Sequence, residues 1–443
     1  MRVRRIVAAT FRTTLFTVLA VLTLGGLGLA GARVTAAQGH LEHTPYDPAS
    51  AGDADMDLLP TGAGARPARP KTFVVAVILG TSATVATDAM GPYEVFARSP
   101  RFSVYTVARD PGPAPTQGAP SIVPDHTFSD VDAHAELAPD VVVVPAVDDP
   151  SGIVEQDTRD WVAQQHARGA RILSVCAGAM LMAETGLLDG RTATSHWSRL
   201  SSLRAAHPET RWVAGQRFVR DGTITTTAGI TSGIPGALSV IEDLAGADEA
   251  GTVGAQVGYP GWSPDAPTAI PVQSWALADW PFGLNTLLPW GRPTIGIQLQ
   301  DGDGEIDTAA LFEVYANSAA ARTVALNDTG VVHTAHGMTL LTLTEPDAPS
   351  VDIRLRPGVH GPSGRAGFDG ALEYLADVSG ATTARSAAKM IDYPVSSLNL
   401  GTKATSARTP VLAATAVLLA IGVGLVPGID RRSRRRFRRP GVE

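Results

Sequence analysis

The chain has 443 residues, 44% of them apolar, and a formal net charge of −7. That length exceeds one compact domain and fits two domains with flanking segments. Four arginines open the chain (Arg2, Arg4, Arg5, Arg12) and seven close it (Arg431, Arg432, Arg434, Arg435, Arg436, Arg438, Arg439). Without them, and without Asp430 and Glu443, 25 basic side chains face 41 acidic ones, and a middle of about −16 argues against a nucleic-acid-binding body. The single cysteine, Cys176, excludes an internal disulfide and a cysteine-rich metal site.

Residues 1–33 combine a basic start with the uncharged run TTLFTVLAVLTLGGLGLAGA, long enough to match a bilayer's hydrocarbon. The same stretch reads equally as a signal anchor or as a cleavable signal peptide, since small residues follow it at Gly31, Ala32, Ala36 and Ala37. Residues 34–71 are rich in Ala, Gly, Pro and Asp without periodicity, which predicts a flexible stalk. Its His40 and His43 read as solvated side chains.

An ordered domain is expected over 72–262. FVVAVIL, DVVVVPA and ARILSV are short continuous apolar runs, the pattern of parallel strands buried on both faces. Helical segments alternate with them at GPYEVFARS, TRDWVAQQHARGA, CAGAMLMAETGLL and IPGALSVIEDLAG, and TRWVAGQRFVRDGTITTTAG reads as a hairpin-rich return. The alternation predicts an α/β fold, a mainly parallel sheet sandwiched by helices in flavodoxin-like layers.

After a linker at 263–292, residues 293–394 repeat the pattern. TDAMGPYEVFA recurs as DTAALFEVYA, so that Asp88 matches Asp307 and Glu94 matches Glu313. DVVVVPA recurs as VDIRLRPG, and PGALSVIEDLAG as DGALEYLADVSG; each closing helix leads to a Tyr-Pro, Tyr259-Pro260 and Tyr393-Pro394. The second copy lacks the strand, cysteine elbow and hairpin. It is expected to be a degenerate repeat that packs on the first as an intramolecular pseudo-dimer partner and covers its exposed edge. Finally, TPVLAATAVLLAIGVGLVPGI (409–429) followed by the arginine cluster of 430–443 reads as a transmembrane helix with a basic cytoplasmic tail. The acidic middle is therefore expected outside the cytoplasm.

RILSV-CAGAM puts Cys176 where a buried strand turns into a helix. A helix start offers unpaired N–H groups and a positive dipole end, which favour thiolate over thiol. Ala177 and Gly178 keep the surroundings small, so that a substrate can approach the backbone.

SVCAGAMLMAETGLLDGRTATSHW resembles the elbow segment of the PfpI/DJ-one superfamily, within the class I glutamine-amidotransferase-like fold. TDAMGPYEVF and TTTAGITSGIPGALSVIEDLAG resemble the acidic loop and closing helix of one branch, that of isonitrile hydratase and the N-terminal domains of AraC-type regulators. The resemblance implies Cys176 as nucleophile or redox-sensitive thiol, and Asp88 as the carboxyl that contacts its sulfur. Asp88 also reads as a helix N-cap. His196 matches a family histidine near the cysteine, a base in that reading and a structural strand-end histidine otherwise. Gly91 and Trp197 complete the implied ligand pocket with Ala177 and Gly178, although Trp197 also reads as core. Ala177 stands where isonitrile hydratase carries a threonine. No cofactor and no metal are implied. A small electrophile is the expected partner of a cysteine-dependent hydrolase, hydratase or glyoxalase-like enzyme; a small-molecule or redox sensor using the same pocket is the alternative.

Overall fold

The structure is a computed structural model, and it describes residues 2–38, 72–358, 367–396, 398–404, 406 and 411–421. Of the stalk expected over 34–71, residues 34–38 instead continue the N-terminal helix, and residues 39–71, with His40 and His43, lie outside the described residues, as does the basic tail. The N-terminal apolar run extends further than its sequence suggests. A single helix, α1, covers Arg2–Gln38, and its stretch Thr14–Thr35 is apolar and long enough to cross a membrane. Of the C-terminal span 409–429 only the helix Val411–Ile421 (α13) is described.

The apolar runs become strands in chain order: β1 (Phe73–Ile78), β2 (Phe102–Ala108), β3 (Ser121–Val123), β4 (His126–Thr127), β5 (Val141–Val144), β6 (Arg171–Ser174), β7 (Thr192–Ala193), β8 (Arg211–Trp212), β9 (Phe218–Asp221) and β10 (Ile224–Thr227). Seven of them form one sheet in the order β4-β2-β1-β5-β6-β10-β9. Every neighbouring pair is parallel except β9 and β10, which form a hairpin. Strands β1 and β5 are buried on both faces, which is why their sequences run apolar without alternation.

Helices α2 (Ala86–Ala97), α3 (Phe128–Ala133), α4 (Gln156–Ala167), α5 (Gly178–Glu184), α6 (Leu200–Ala206), α7 (Gly233–Ala245) and α8 (Ala247–Val257) flank this sheet and close two apolar cores, one on each face. This is the mixed α/β sandwich with a mainly parallel sheet that the sequence indicates.

The linker expected at 263–292 contains a helix, α9 (Trp280–Leu287), that packs against α1. Beyond it come β11 (Thr294–Gln298), α10 (Glu305–Ser318), β12 (Arg322–Leu326), β13 (Val331–His333), β14 (Thr339–Leu341), β15 (Ile353–Leu355), α11 (Gly367–Ser379) and α12 (Ala381–Met390). Strands β12-β11-β15 form a parallel sheet with the same order and sense as β2-β1-β5. The halves meet where α2 crosses α10, and β3 joins the antiparallel sheet β13-β14-β3. One hydrophobic core runs through both, from Val75 and Met90 to Phe312 and Leu372.

Candidate functional site

Three parallel strands, β1, β5 and β6, end at one edge of the sheet, and the segments that leave them converge. The chain goes from β1 to β2 on one side and to β5 on the other, so this edge is the topological switch point at which α/β sheets bind ligands. After β1 comes the first turn of α2 with Asp88; after β5 comes Ala146; after β6 comes Cys176.

Cys176 has φ +57°, a left-handed conformation that costs a non-glycine residue free energy and persists only where surroundings enforce it. Two side chains enforce it here. The Cys176 N–H donates to Thr227 Oγ1 at 3.2 Å, and Ser195 Oγ donates to the Cys176 carbonyl at 3.0 Å. Behind the turn, Gly178 lies so close to the end of β5 that a Cβ would overlap the Val144 carbonyl oxygen. Helix α5 starts at Gly178, with Ala177 half-buried at its N-cap, so it does not begin on the cysteine as its sequence suggests.

Asp88 is not a cap. Val85 occupies that position, and the fully buried Asp88 carboxyl leaves the helix to accept the Ala146 N–H at 3.0 Å through Oδ2. Its Oδ1 is buried with no hydrogen-bond partner among the described residues. Burial, reinforced by the charge of Glu313, holds this acid far above the usual carboxylate range. Burial also pushes the Cys176 thiol up, with Asp88 the next cause; the Ala177 N–H opposes, while Glu313 and Asp392 add to the rise. The thiolate expected from a helix start is therefore not favoured: one short helix is outweighed by burial and three nearby carboxyls.

Two of those carboxyls come from the second half of the chain. Glu313, on α10, accepts the Thr87 N–H at 3.4 Å and the Asn317 side-chain amide at 2.7 Å. Asp392 follows α12 with φ +57° and accepts from the Gly229 N–H and Ser232 Oγ, both at 3.2 Å. Burial raises its pKa to about 6. Neither carries a site motif in the sequence. The only signal was the recurrence of Glu94 at Glu313.

The segment 389–392 forms a strap over the elbow. His196 Nε2 lies 2.8 Å from the Met390 carbonyl, the Trp197 indole donates to the Lys389 carbonyl at 3.3 Å, and the Thr231 N–H donates to that of Ile391 at 3.1 Å. A carbonyl only accepts, so Nε2 carries the proton and Nδ1 accepts from Ser198 Oγ at 2.7 Å. Burial lowers the His196 pKa to about 4, so the ring is neutral. Both of its nitrogens are thus engaged away from the sulfur, and in this arrangement the base expected for Cys176 clamps the strap instead.

Trp197 lines a cavity of about 140 Å³ together with Thr194, Ser195, Arg204, Ala228 and Asp392. Cys176 and Asp88 do not line it, although Ser195, whose hydroxyl holds the Cys176 backbone, does. Gly91 lies elsewhere, in α2 where it crosses α7, and a Cβ there would touch Ile234 at 3.4 Å. Glu94, Glu305 and His336 converge at the junction of the halves, their ligating atoms within 4.8 Å of one another. Protein hydrogen bonds account for it: Glu305 Oε2 lies 2.7 Å from His336 Nδ1 within the group, and Glu94 Oε2 accepts the Ile306 backbone N–H at 2.6 Å.

The sequence profile of the DJ-1/PfpI family matches residues 74–243. Isonitrile hydratase of Pseudomonas putida is 34% identical over 194 residues, which span 41% of this chain and 80% of that protein. The chain belongs to the DJ-1/PfpI family. Among its relatives is the HTH-type transcriptional regulator CdhR of Pseudomonas aeruginosa, 31% identical over 107 residues, 24% of this chain and 32% of the regulator. A ThiJ/PfpI family protein from Pseudomonas syringae is a structural neighbour, with 27% identity and a TM-score of 0.39 over 50% of this chain and 84% of that one. Within this DJ-1/PfpI protein the profile covers β1, α2 and the Cys176 elbow and ends at Asp243; Glu313 and Asp392 lie beyond it.

Proposed function

We propose that this DJ-1/PfpI protein is held at the cell membrane by its terminal apolar segments, with the acidic body outside the cytoplasm and the basic tail inside. In this reading Cys176 reacts there with a small electrophile, as a hydrolase, hydratase or glyoxalase-like lyase. The observation that carries the chemistry is a strained, buried thiol within electrostatic reach of a neutral acid whose Oδ1 has no hydrogen-bond partner among the described residues. Sulfur bonds to the electrophilic carbon while Asp88 gives its proton to the substrate heteroatom and takes up the thiol proton. The carboxyl ends neutral and no net charge is left buried, which suits a pocket that disfavours both anions. The 34% identity to isonitrile hydratase supports this class of substrate. Ala177 in place of that enzyme's threonine argues for a different member of the class.

The second half acts as a degenerate, catalytically empty copy of the first, packed on it as a pseudo-dimer partner. The shared order of β12-β11-β15 and β2-β1-β5 supports this, as does the antiparallel pairing of β3 with β14 across the junction. In that role it supplies Glu313, Asp392 and the strap.

Turnover of methylglyoxal or an isonitrile by the full chain in detergent, abolished in Cys176→Ser, is the expected result. A second reading is a small-molecule or redox sensor that uses the same cysteine pocket; the 4% exposure of Cys176 and its protonated thiol weigh against rapid oxidation and so set it behind the enzyme. No turnover across the substrate panel, together with ready sulfenic acid formation at Cys176, would select the sensor.

A further inference from the structure

Helix α9 and its flanks have a composition that the α/β sandwich does not explain. Residues 272–290 (VQSWALADWPFGLNTLLPW) contain three tryptophans, a phenylalanine and a single charge, Asp279. That charge is neutralised: Lys389 Nζ lies 2.5 Å from its carboxylate, which also accepts the Ala276 N–H at 2.8 Å. Several apolar side chains are turned outward, with Leu277 95% exposed, Trp275 58%, and Trp280, Leu287 and Trp290 each 41%, while Leu288 is buried.

This surface is continuous with α1. Gly28, Gly31 and Thr35 lie on one face of that helix, at i, i+3 and i+7. Leu287 Cδ2 would touch a Cβ at Gly28, and the Leu287 carbonyl leaves no room for one at Gly31. Thr35 Oγ1 donates to the Thr286 carbonyl at 2.8 Å and accepts from Arg292 Nη2 at 2.9 Å. The 22 residues of Thr14–Thr35 extend about 33 Å, the thickness of a bilayer's hydrocarbon. A contact from Gly28 to Thr35 reaches about 10 Å along that axis. A helix packed on the last two turns of a membrane span cannot stand clear of the membrane.

We infer that residues 272–290 form a collar seated in the headgroup layer of the bilayer, with Trp275, Trp280 and Trp290 as its interfacial anchors. The inference rests on the membrane reading of α1 given above. The collar also holds the site to the membrane surface. Trp275 packs edge-on against Trp197 at 5.0 Å, and Lys389, which binds Asp279, belongs to the strap over Cys176.

The test uses the full chain in phosphatidylcholine vesicles whose acyl chains are brominated near the glycerol end, compared with unbrominated vesicles. Bromine quenches tryptophan on contact. With three of seven tryptophans in the collar, emission falls by up to three-sevenths if all emit equally, and the combined variant Trp275→Phe, Trp280→Phe, Trp290→Phe abolishes the fall. Unquenched collar tryptophans that stay open to acrylamide overturn the proposal. Collar tryptophans shielded from acrylamide yet unquenched by bromine place a second copy of the chain there and overturn it equally. Alkaline carbonate separates the two failures. A chain released by carbonate ends the membrane reading and the collar together, whereas a retained but unquenched chain ends the collar alone.

Discussion

Glu94 accepts the Ile306 N–H at 2.6 Å, and Glu313 accepts the Thr87 N–H at 3.4 Å, each carboxylate reaching across the junction to the first turn of the other's helix. Ile306 stands before Asp307 as Thr87 stands before Asp88, so the two contacts fall at matching positions of the two helices. Only one of the two contacts faces a thiol. Glu313→Gln keeps the acceptor oxygen and removes a charge that raises both Asp88 and Cys176. The pH midpoint of iodoacetamide labelling at Cys176 therefore moves downward in this variant. An upward shift would contradict the electrostatic role assigned to Glu313.

The strap can be displaced without touching the sulfur. A Cβ at Gly229 would overlap that of Asp392, so Gly229→Ala pushes residues 389–392 away from the elbow. Labelling of Cys176 speeds up several-fold while the circular dichroism spectrum of the fold is retained. Unchanged labelling would mean that the strap does not control access.

Stability should depend on pH through two buried groups of opposite sense. The folded pKa of Asp392 is raised from 3.8 to about 6, so the native state holds a proton that the unfolded state loses, and stability falls as pH rises through that window. Asp392→Asn removes this loss and stabilises the protein above pH 6 by up to about 3 kcal/mol. His196 is lowered from 6.5 to about 4, so its contribution is present above 6.5 and is lost as pH falls toward 4. His196→Gln flattens the acid side of a plot of thermal midpoint against pH. A wild-type profile in the Gln variant would place His196 outside the buried network.

Removing residues 263–443 uncovers α2, with its buried Glu94 and Tyr93, and leaves the β3 edge unpaired. The remaining fragment is expected to self-associate through α2 or to precipitate, as read by light scattering on a sizing column. A stable monomer would show that the second half is not needed as a cover.

For the proposed chemistry, Asp88→Asn is the sharpest variant. The amide oxygen can still accept from Ala146, but no acid proton remains to exchange. Turnover drops by about 10²-fold or more, while thiol labelling is unchanged because a neutral amide replaces a neutral acid. A parallel loss of labelling and turnover would instead assign Asp88 to thiolate stabilisation.

The sequence alone determined the parallel sandwich, the place of Cys176 between β6 and α5, and the segments that carry the family likeness. FVVAVI and VVVV are legible because a strand buried on both faces must be apolar throughout, a constraint each segment meets by itself. That Asp88 lies near enough to Cys176 to raise its thiol was legible only through that likeness. What the tertiary structure decided is the state of the site. Local sequence at CAGAM promised a helix start and a thiolate; instead the thiol is neutral, His196 binds Met390, and Glu313 and Asp392 arrive from the far half of the chain. Strand and turn preferences act between neighbours along the chain, whereas desolvation and Coulomb forces act between neighbours in space. Protonation at Cys176 is therefore set by residues whose distance in sequence conceals their nearness in the fold.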